Sequence, residues 1–271
     1  MGLIRVRKFQ LTDGHLFVAP EGLKDEFKNV CRMIAEGMQV LGLSNIVSYR
    51  FSKRDPQNKE KYYPDDALWK KAEKTMKEAL DELGFNYTEA EDEAAFYGPK
   101  LDVQAKNVNG KEDTLFTAQI DFLLPEKFNI EYIDQHGEKK RPVMIHRSTI
   151  GCLERVFGFL IEHYAGAFPT WLSPVQVELM NVNDRNLSFM KTIEQQMKEK
   201  DIRVEIDDRS ETIAKKVRDA QMQHIPYMIT IGDKEVEKKT LAIRTREGKV
   251  EFGVKIDEFI AKLTREIKER K

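Results

Sequence analysis

Leu3-Ile4-Arg5-Val6-Arg7-Lys8-Phe9, then Thr12-Asp13-Gly14, then His15-Leu16-Phe17-Val18 is the stretch on which the reading of the fold turns. Apolar and basic residues alternate before and after a turn-forming Asp-Gly, the pattern of side chains pointing to opposite faces of a strand with period two. This reads as a β-hairpin with one charged face, where Arg5, Arg7 and Phe9 stand together. Such a face suits a nucleotide, because guanidinium groups bind phosphate oxygens as a planar fork and an aromatic ring offers a flat partner to a base. A solvated strand face with one core phenylalanine accounts for the same pattern, so the hairpin alone leaves both readings open.

Working outward, Leu23, Phe27, Cys31, Ile34 and Met38 recur at helical spacing and predict a helix over 21–41 that ends near Gly42. A second helix is predicted over 66–83 and stopped by Gly84. The segments 101–105, 115–122, 129–133 and 142–145 read as strands with a tight turn at 135–137, and 149–164 reads as a buried helix. Strands and helices do not alternate as in a parallel βαβ array, which points to an antiparallel sheet. After Pro169 and Pro174 the order becomes strand (175–180), helix (186–198), strand (203–206), helix (211–223) and strand (227–231). Two further strands near 241–245 and 250–254 and a closing helix from Asp257 follow. This is a separate α/β domain, with the boundary placed near 171–174, giving 1–172 and 173–271.

Bulk properties narrow the field. At 271 residues, 41% hydrophobic and 34% charged, the chain has the balance of a globular protein with room for two cores. The longest apolar runs, such as Val156 to Ile161, fall far short of the ~20 residues of a membrane helix. Gly2-Leu3-Ile4-Arg5 is not a signal-peptide core, so a cytoplasmic location is expected. Cys31 and Cys152 are the two cysteines, too few for a disulfide framework. A net charge of −1 means that any nucleic-acid binding must come from local patches and shape.

Three further clusters carry chemistry. Ala95-Phe96-Tyr97-Gly98-Pro99-Lys100 sets a phenol and an ammonium on either side of a Gly-Pro turn ahead of a strand, where a substrate loop and an ordinary turn look alike. Gly151-Cys152-Leu153-Glu154-Arg155 puts charges into an apolar helix. A buried guanidinium costs several kcal/mol unless paired, so Arg155 asks for an anionic ligand or for an internal ion pair with Glu154 or another acid. His15 and His146 fall at strand ends and offer two imidazoles to a metal such as zinc, or serve the structure.

Read in order, Gly2 to Phe9 with Thr12 to His15, then Phe96 to Lys100, then His146-Arg147 through Gly151 to Glu154-Arg155, the sequence resembles the active site of threonyl-tRNA synthetases. The resemblance continues through Ala165 to Trp171, Ser173 to Val177, Ile225 to Met228 and Gly232 to Glu235, and so covers nearly the whole chain. It implies an α+β catalytic domain built on the antiparallel class II synthetase sheet, followed by an α/β anticodon-binding domain. It also implies ATP-dependent activation of threonine and transfer to tRNA(Thr), in a homodimeric intact protein, with no membrane partner.

By that resemblance, the opening segment is the second half of motif 2 and the helix after His146 is motif 3. Phe9 would stack on adenine, Arg155 would cover its other face and reach the γ-phosphate, and Arg5 would contact the phosphate tail of ATP with its Mg2+. Arg5 and Arg155 would thus be the catalytic groups. His15 and His146 would be two of three zinc ligands, Asp13 would accept from the threonine hydroxyl, Tyr97 would border the amino group, and Gln119 and Lys100 would line the pocket or the tRNA end. A metal that demands the hydroxyl would reject valine, which an apolar pocket does poorly. Glu235 and Arg244 would read anticodon bases.

The sequence also departs from the family pattern. It opens inside motif 2, without motif 1, the α-phosphate arginine or the cysteine expected as third zinc ligand, to which neither Cys31 nor Cys152 corresponds. Leu11 and Thr114 stand where glutamines are usual, Cys152 where a small serine or alanine is usual, and Ser210 replaces an asparagine of the anticodon site. The expectation is a fragment or short paralogue with little or no adenylation alone. A truncated tRNA- or RNA-binding module is the competing reading. A prolyl or glycyl enzyme is the third, disfavoured by the paired histidines.

Overall fold

Thr12, Asp13 and Gly14 do not turn. In the computed structural model, which describes residues 2–271, they lie within one strand, β1 (Leu11–Val18), and the chain before it is a single 3-10 turn at Gly2–Ile4 followed by irregular backbone. The expected hairpin does not form among the described residues, and Arg5, Arg7 and Phe9 share no strand face.

The chain divides into a unit ending at Phe159 and a unit from Leu160 to Lys271. In the first, α1 (Leu23–Val40) buries Leu23, Phe27, Val30, Cys31, Ile34 and Met38 along one stripe, and Gly42 follows it at positive φ. Strand β2 (Val47–Ser52) leads to α2 (Asp66–Glu82), whose N-cap Asp65 accepts from the Ala67 and Leu68 amides, both at 3.0 Å. Then come β3 (Tyr87–Ala90), β4 (Lys100–Lys106), β5 (Glu112–Asp121), the short α3 (Leu123–Lys127), the ribbon β6 (Tyr132–Ile133) and β7 (Lys139–Lys140), β8 (Val143–Cys152) and α4 (Leu153–His163).

The six strands of the main sheet run in the order β1-β8-β5-β4-β2-β3, antiparallel throughout except for the β2–β3 pair. Its apolar face, with Leu16, Ile145, Ile120, Leu101 and Phe51, is the core side, and α1 packs against β8, β5 and α2. The ladder to β8 is what overrides the Asp-Gly turn. Thr12 Oγ1 accepts from the Ile150 amide at 3.1 Å and donates to the Gly151 carbonyl at 3.2 Å, while Gln10, just upstream, is tied to the start of α4 by Leu153 N–H to its carbonyl at 3.0 Å.

Two further expectations change. The predicted strand over 129–133 shrinks to two residues, because Asp121 caps α3 and Asn129 takes a left-handed conformation (φ 50°) behind it. The predicted buried helix over 149–164 begins only at Leu153, since β8 runs on to Cys152. It is half-buried, with Leu153 and Phe157 exposed and Val156 and Phe159 inside. Gly151 makes that extension possible: at φ +67° it lies so close to β5 that a Cβ would sit 2.0 Å from the Leu115 carbonyl oxygen. Strands β2 and β3 were not anticipated, although Val47, Tyr49 and Phe51 alternate with Ser48, Arg50 and Ser52.

The second unit contains β9 (Val177–Asn181), α5 (Leu187–Lys198), β10 (Val204–Asp207), α6 (Ile213–Met222), β11 (Tyr227–Ile231), α7 (Asp233–Lys238), β12 (Thr240–Thr245), β13 (Val250–Lys255) and α8 (Ile256–Lys268). The sheet order is β10-β9-β11-β12-β13, parallel across the first three strands and antiparallel beyond. One core gathers Val177, Leu179, Ile193, Ile229, Ile231, Phe259 and Leu263 between the sheet and α5 and α8. The six-residue α7 and a 3-10 turn at Asp184–Asn186 lie outside the expectation here. Among the described residues no helix is long and apolar enough to cross a membrane.

Candidate active site

One rung of the first sheet collects most of the candidate side chains. His15 pairs with His146, His146 with Gln119, Gln119 with Lys100 and Lys100 with Ser52. Directly paired residues project from the same face, so this row stands opposite the apolar face that carries Leu101 and Ala118. The next rung on the same face, ~7 Å away, brings Asp13 opposite Ser148 and Thr117 opposite Asp102.

The histidine end is closely packed. The rings of His15 and His146 meet edge to face with centroids 4.7 Å apart, and the Tyr97 ring lies 5.1 Å from that of His146. The Tyr97 hydroxyl donates to Gln119 Oε1. Burial, reinforced by the carboxylates of Asp121 and Asp13, pushes the Tyr97 phenol up to about 12, so it is a neutral donor at physiological pH. The Gly98-Pro99 step that presents Tyr97 is pinned to β5: the Ile120 amide donates to the Pro99 carbonyl at 3.0 Å, and a Cβ on Gly98 would lie 1.7 Å from the Ile120 carbonyl oxygen.

Sequence reasoning missed Asp121. It is fully buried, its Oδ2 sits 2.7 Å from His146 Nε2, and its Oδ1 accepts from the Leu123 and Leu124 amides at 2.8 and 2.9 Å. One carboxylate therefore orients the imidazole and caps a helix. An Asp directly ahead of Phe-Leu-Leu-Pro, two residues beyond Gln119 and so on the same strand face, was the signal available. Lys100 is held by Asp102, with Nζ 2.6 Å from Oδ2, which also accepts from Ser52 Oγ at 2.7 Å, while the buried Asp102 Oδ1 has no partner.

The other end of the face opens into a cavity of about 420 Å3 lined by Arg5, Phe9, Asp13, Thr114, Cys152 and Arg155 among others. Arg5 and Phe9 reach it from irregular chain rather than from a strand. The Arg155 guanidinium donates to the carbonyls of Ile4 (3.4 Å) and Thr114 (3.2 Å) and has no carboxylate partner among the described residues. The internal ion pair with Glu154 is therefore not formed. Glu154 Oε2 accepts instead from the Gln10 amide at 2.9 Å, which holds that carboxyl below its usual range. Two guanidinium groups and a half-exposed ring in one cavity make a site for a polyanion attached to a flat base. Asp13 lines this cavity and is two residues from His15 on the same strand face, so the two ends are contiguous.

The residues present do not fit zinc. Among the described residues no three His, Cys, Asp or Glu side chains gather within reach of one ion. His146 Nε2 already faces Asp121, Cys31 is buried in α1 with its thiol pushed up to about 12 by burial, and Cys152 lies at the nucleotide end. Two ligands supply about half of the ~10–16 kcal/mol of a structural zinc site. A zinc titration of the chain is expected to give a Kd weaker than about 1 µM; nanomolar binding lost on His15→Ala would show a donor set that the geometry lacks.

In the second unit, Glu235 lies in the first turn of α7, where its Oε2 accepts from the Gly232 amide at 3.0 Å. Arg244, on β12, donates to the Gly248 carbonyl at 3.4 Å and pairs in register with Met228 and Val250. Both are partly exposed.

Residues 1–164 match the family model for the tRNA synthetase class II core domain (G, H, P, S and T), and residues 176–266 match that for an anticodon binding domain. The chain is 52% identical over 266 residues to the threonine–tRNA ligase of Clostridium botulinum (strain Eklund 17B / Type B), covering 98% of this chain and 41% of that protein. It is 49% identical over 271 residues to the threonine–tRNA ligase of Geobacillus kaustophilus (strain HTA426), covering 100% and 41%. The crystal structure of the RNA binding domain of threonyl-tRNA synthetase from Cryptosporidium parvum Iowa II superposes with a TM-score of 0.87 at 30% identity, covering 98% of this chain and 66% of that one. The chain thus spans about two fifths of the length of these curated relatives.

Proposed function

Since the chain belongs to the class II tRNA synthetase family, with a core domain followed by an anticodon-binding domain, we propose that it carries the nucleotide- and amino-acid-binding part of a threonine–tRNA ligase. The observation that carries this reading is the continuity of one sheet face. The cavity with Arg5, Phe9 and Arg155 joins, through Asp13, the rung of His15, His146 and Gln119 capped by Tyr97.

In the proposed reaction the threonine carboxylate attacks the α-phosphorus of ATP. A carboxylate–phosphorus bond forms, the bond to the β-phosphate oxygen breaks, and pyrophosphate leaves with its electron pair. The terminal ribose hydroxyl of tRNA(Thr) then attacks the carbonyl carbon, the bond from that carbon to the phosphate oxygen breaks, and AMP leaves carrying the hydroxyl proton on its phosphate. Catalysis is positioning and charge stabilisation: Phe9 stacks on the base, and Arg5 and Arg155 neutralise phosphate oxygens beside Mg2+. Asp13 accepts from the threonine hydroxyl while Tyr97 and Gln119 border its amino group. His15 and His146 shape that end of the pocket, His146 being oriented by Asp121. Lys100 faces the tRNA terminus, and Glu235 and Arg244 meet unstacked anticodon bases. We place the protein in the cytoplasm, where two free cysteines persist, and the intact protein as a homodimer.

The separate anticodon-binding domain over residues 176–266 supports a second reading, a tRNA-binding module without aminoacylation. Filter binding to tRNA(Thr) at several salt concentrations, set beside calorimetric binding of ATP and of threonine, separates the two. RNA retention with no ATP or threonine binding supports the module, and binding of ATP and of threonine but not proline supports the ligase part. In either case Arg244→Ala and Glu235→Ala are each expected to cost about 1–3 kcal/mol of tRNA affinity, and wild-type affinity in both variants would remove these residues from the interface.

A further inference from the structure

Glu178 is an acid where the fold offers it no partner. It sits in the middle strand of the parallel set, β9, only 8% exposed, and its carboxyl makes no hydrogen bond or ion pair among the described residues. Its register neighbours are Glu205 on β10 and Met228 on β11. It lines an open pocket of about 460 Å3 together with Asp207, Asp208 and Asp219. The one cation there, Arg209, is already spent within the fold: its Nη2 lies 2.7 Å from Asp207 Oδ2 and 2.9 Å from Asp219 Oδ2. Four carboxylates against one guanidinium leave the pocket strongly negative, with Glu178 and Asp208 uncommitted.

We propose that this pocket binds an organic cation, an alkylammonium or alkylguanidinium group, through Glu178 and Asp208. A carboxylate pair accepts the several N–H donors of such a head group. Ile206 and the exposed Met222 on the rim give its methylene stem an apolar wall. A metal ion is the poorer occupant, since among the described residues no three of these acids gather within reach of one ion and hard cations require six or more oxygens. The site lies in the second unit and stands whether or not the first unit activates threonine.

Burial first, then the negative charges of Asp207, Glu205 and Asp219 against the single opposing Arg209, raises the Glu178 carboxyl to about 7. From α6 and the residue that ends it the facing groups are Asp219 and Gln223, and β11 contributes no charge there. A cation must displace that proton, so affinity should rise through neutral pH, by about tenfold between pH 6 and pH 8.

The test is calorimetric titration of the whole chain with agmatine and with putrescine at pH 6 and pH 8. Binding that strengthens about tenfold with pH, is abolished by Glu178→Gln and is weakened by Asp208→Asn supports the site. The Glu178→Gln variant should melt at or above the wild-type temperature at pH 8, because it removes an uncompensated buried charge, which separates loss of the site from loss of the fold. No binding by the native chain, equal binding by Glu178→Gln, or tighter binding of Ca2+ than of agmatine at the same pocket would each overturn the proposal.

Discussion

Replacing Arg155 with alanine is expected to weaken ATP binding by about 2–3 kcal/mol, roughly 30- to 150-fold, while leaving the fold nearly untouched. In the free chain its guanidinium donates only to two main-chain carbonyls, at 3.2 and 3.4 Å, and faces no acid. Little native stability depends on it, whereas a phosphate would take its full charge in a partly dry cavity that also holds Arg5 and Phe9. Arg155→Lys should recover only part of the loss, because an ammonium cannot reproduce the planar fork. Isothermal titration of wild type and both variants measures this. ATP binding unchanged in Arg155→Ala would place the nucleotide elsewhere.

Gly98→Ala should damage the fold of the first unit severely. A Cβ there would fall 1.7 Å from the Ile120 carbonyl oxygen and 2.9 Å from its carbon, both backbone atoms of β5. Neither can move without breaking the ladder that aligns Gln119 with His146. The expected cost is about 3 kcal/mol or more, a fall of roughly 6–12 °C in the melting temperature of a unit this size. Because Tyr97 is the neighbouring residue, its hydroxyl should also lose Gln119. Gly110→Ala is the control: at φ +76° in open space it meets no atom within 4 Å and should cost only the ~1–2 kcal/mol of a left-handed conformation. Equal melting of the two variants would show that the 98 position tolerates a side chain.

The second unit was the more legible in the sequence. Its longer helices α5, α6 and α8 each bury a stripe at helical spacing and its inner strands are short apolar runs, so the period was readable; the six-residue α7 and the 3-10 turn at Asp184–Asn186 escaped. The first unit resisted at its opening. Alternation over 3–9 is a local signal, but a strand exists only where a neighbour completes its hydrogen bonds, and Gln10, Glu154 and Arg155 hold this segment as irregular chain instead. The same competition hid the end of β8, where Gly151 lets strand persist into what reads as an amphipathic helix.

Arg5, Phe9, Arg155 and the two histidines could be named from type and spacing, and Asp13 and Gln119 through the family resemblance, but their assembly could not. Little that is local in the sequence aligns His15, His146, Gln119 and Lys100 on one rung, since they come from four strands of which only β4 and β5 are joined by a short turn. Asp121 was invisible for a related reason: a carboxylate followed by apolar residues signals a cap, and only the register reveals that its other oxygen meets His146.

The most direct test of a single site spanning the face is calorimetric binding of a non-hydrolysable threonyl-adenylate analogue, the threonyl sulfamate of adenosine. Binding tighter than that of ATP or threonine alone, and weakened by both Arg155→Ala at the nucleotide end and Gln119→Ala at the amino-acid end, is the expected result. An analogue that binds no better than adenosine, or that responds to one of the two substitutions only, would contradict it.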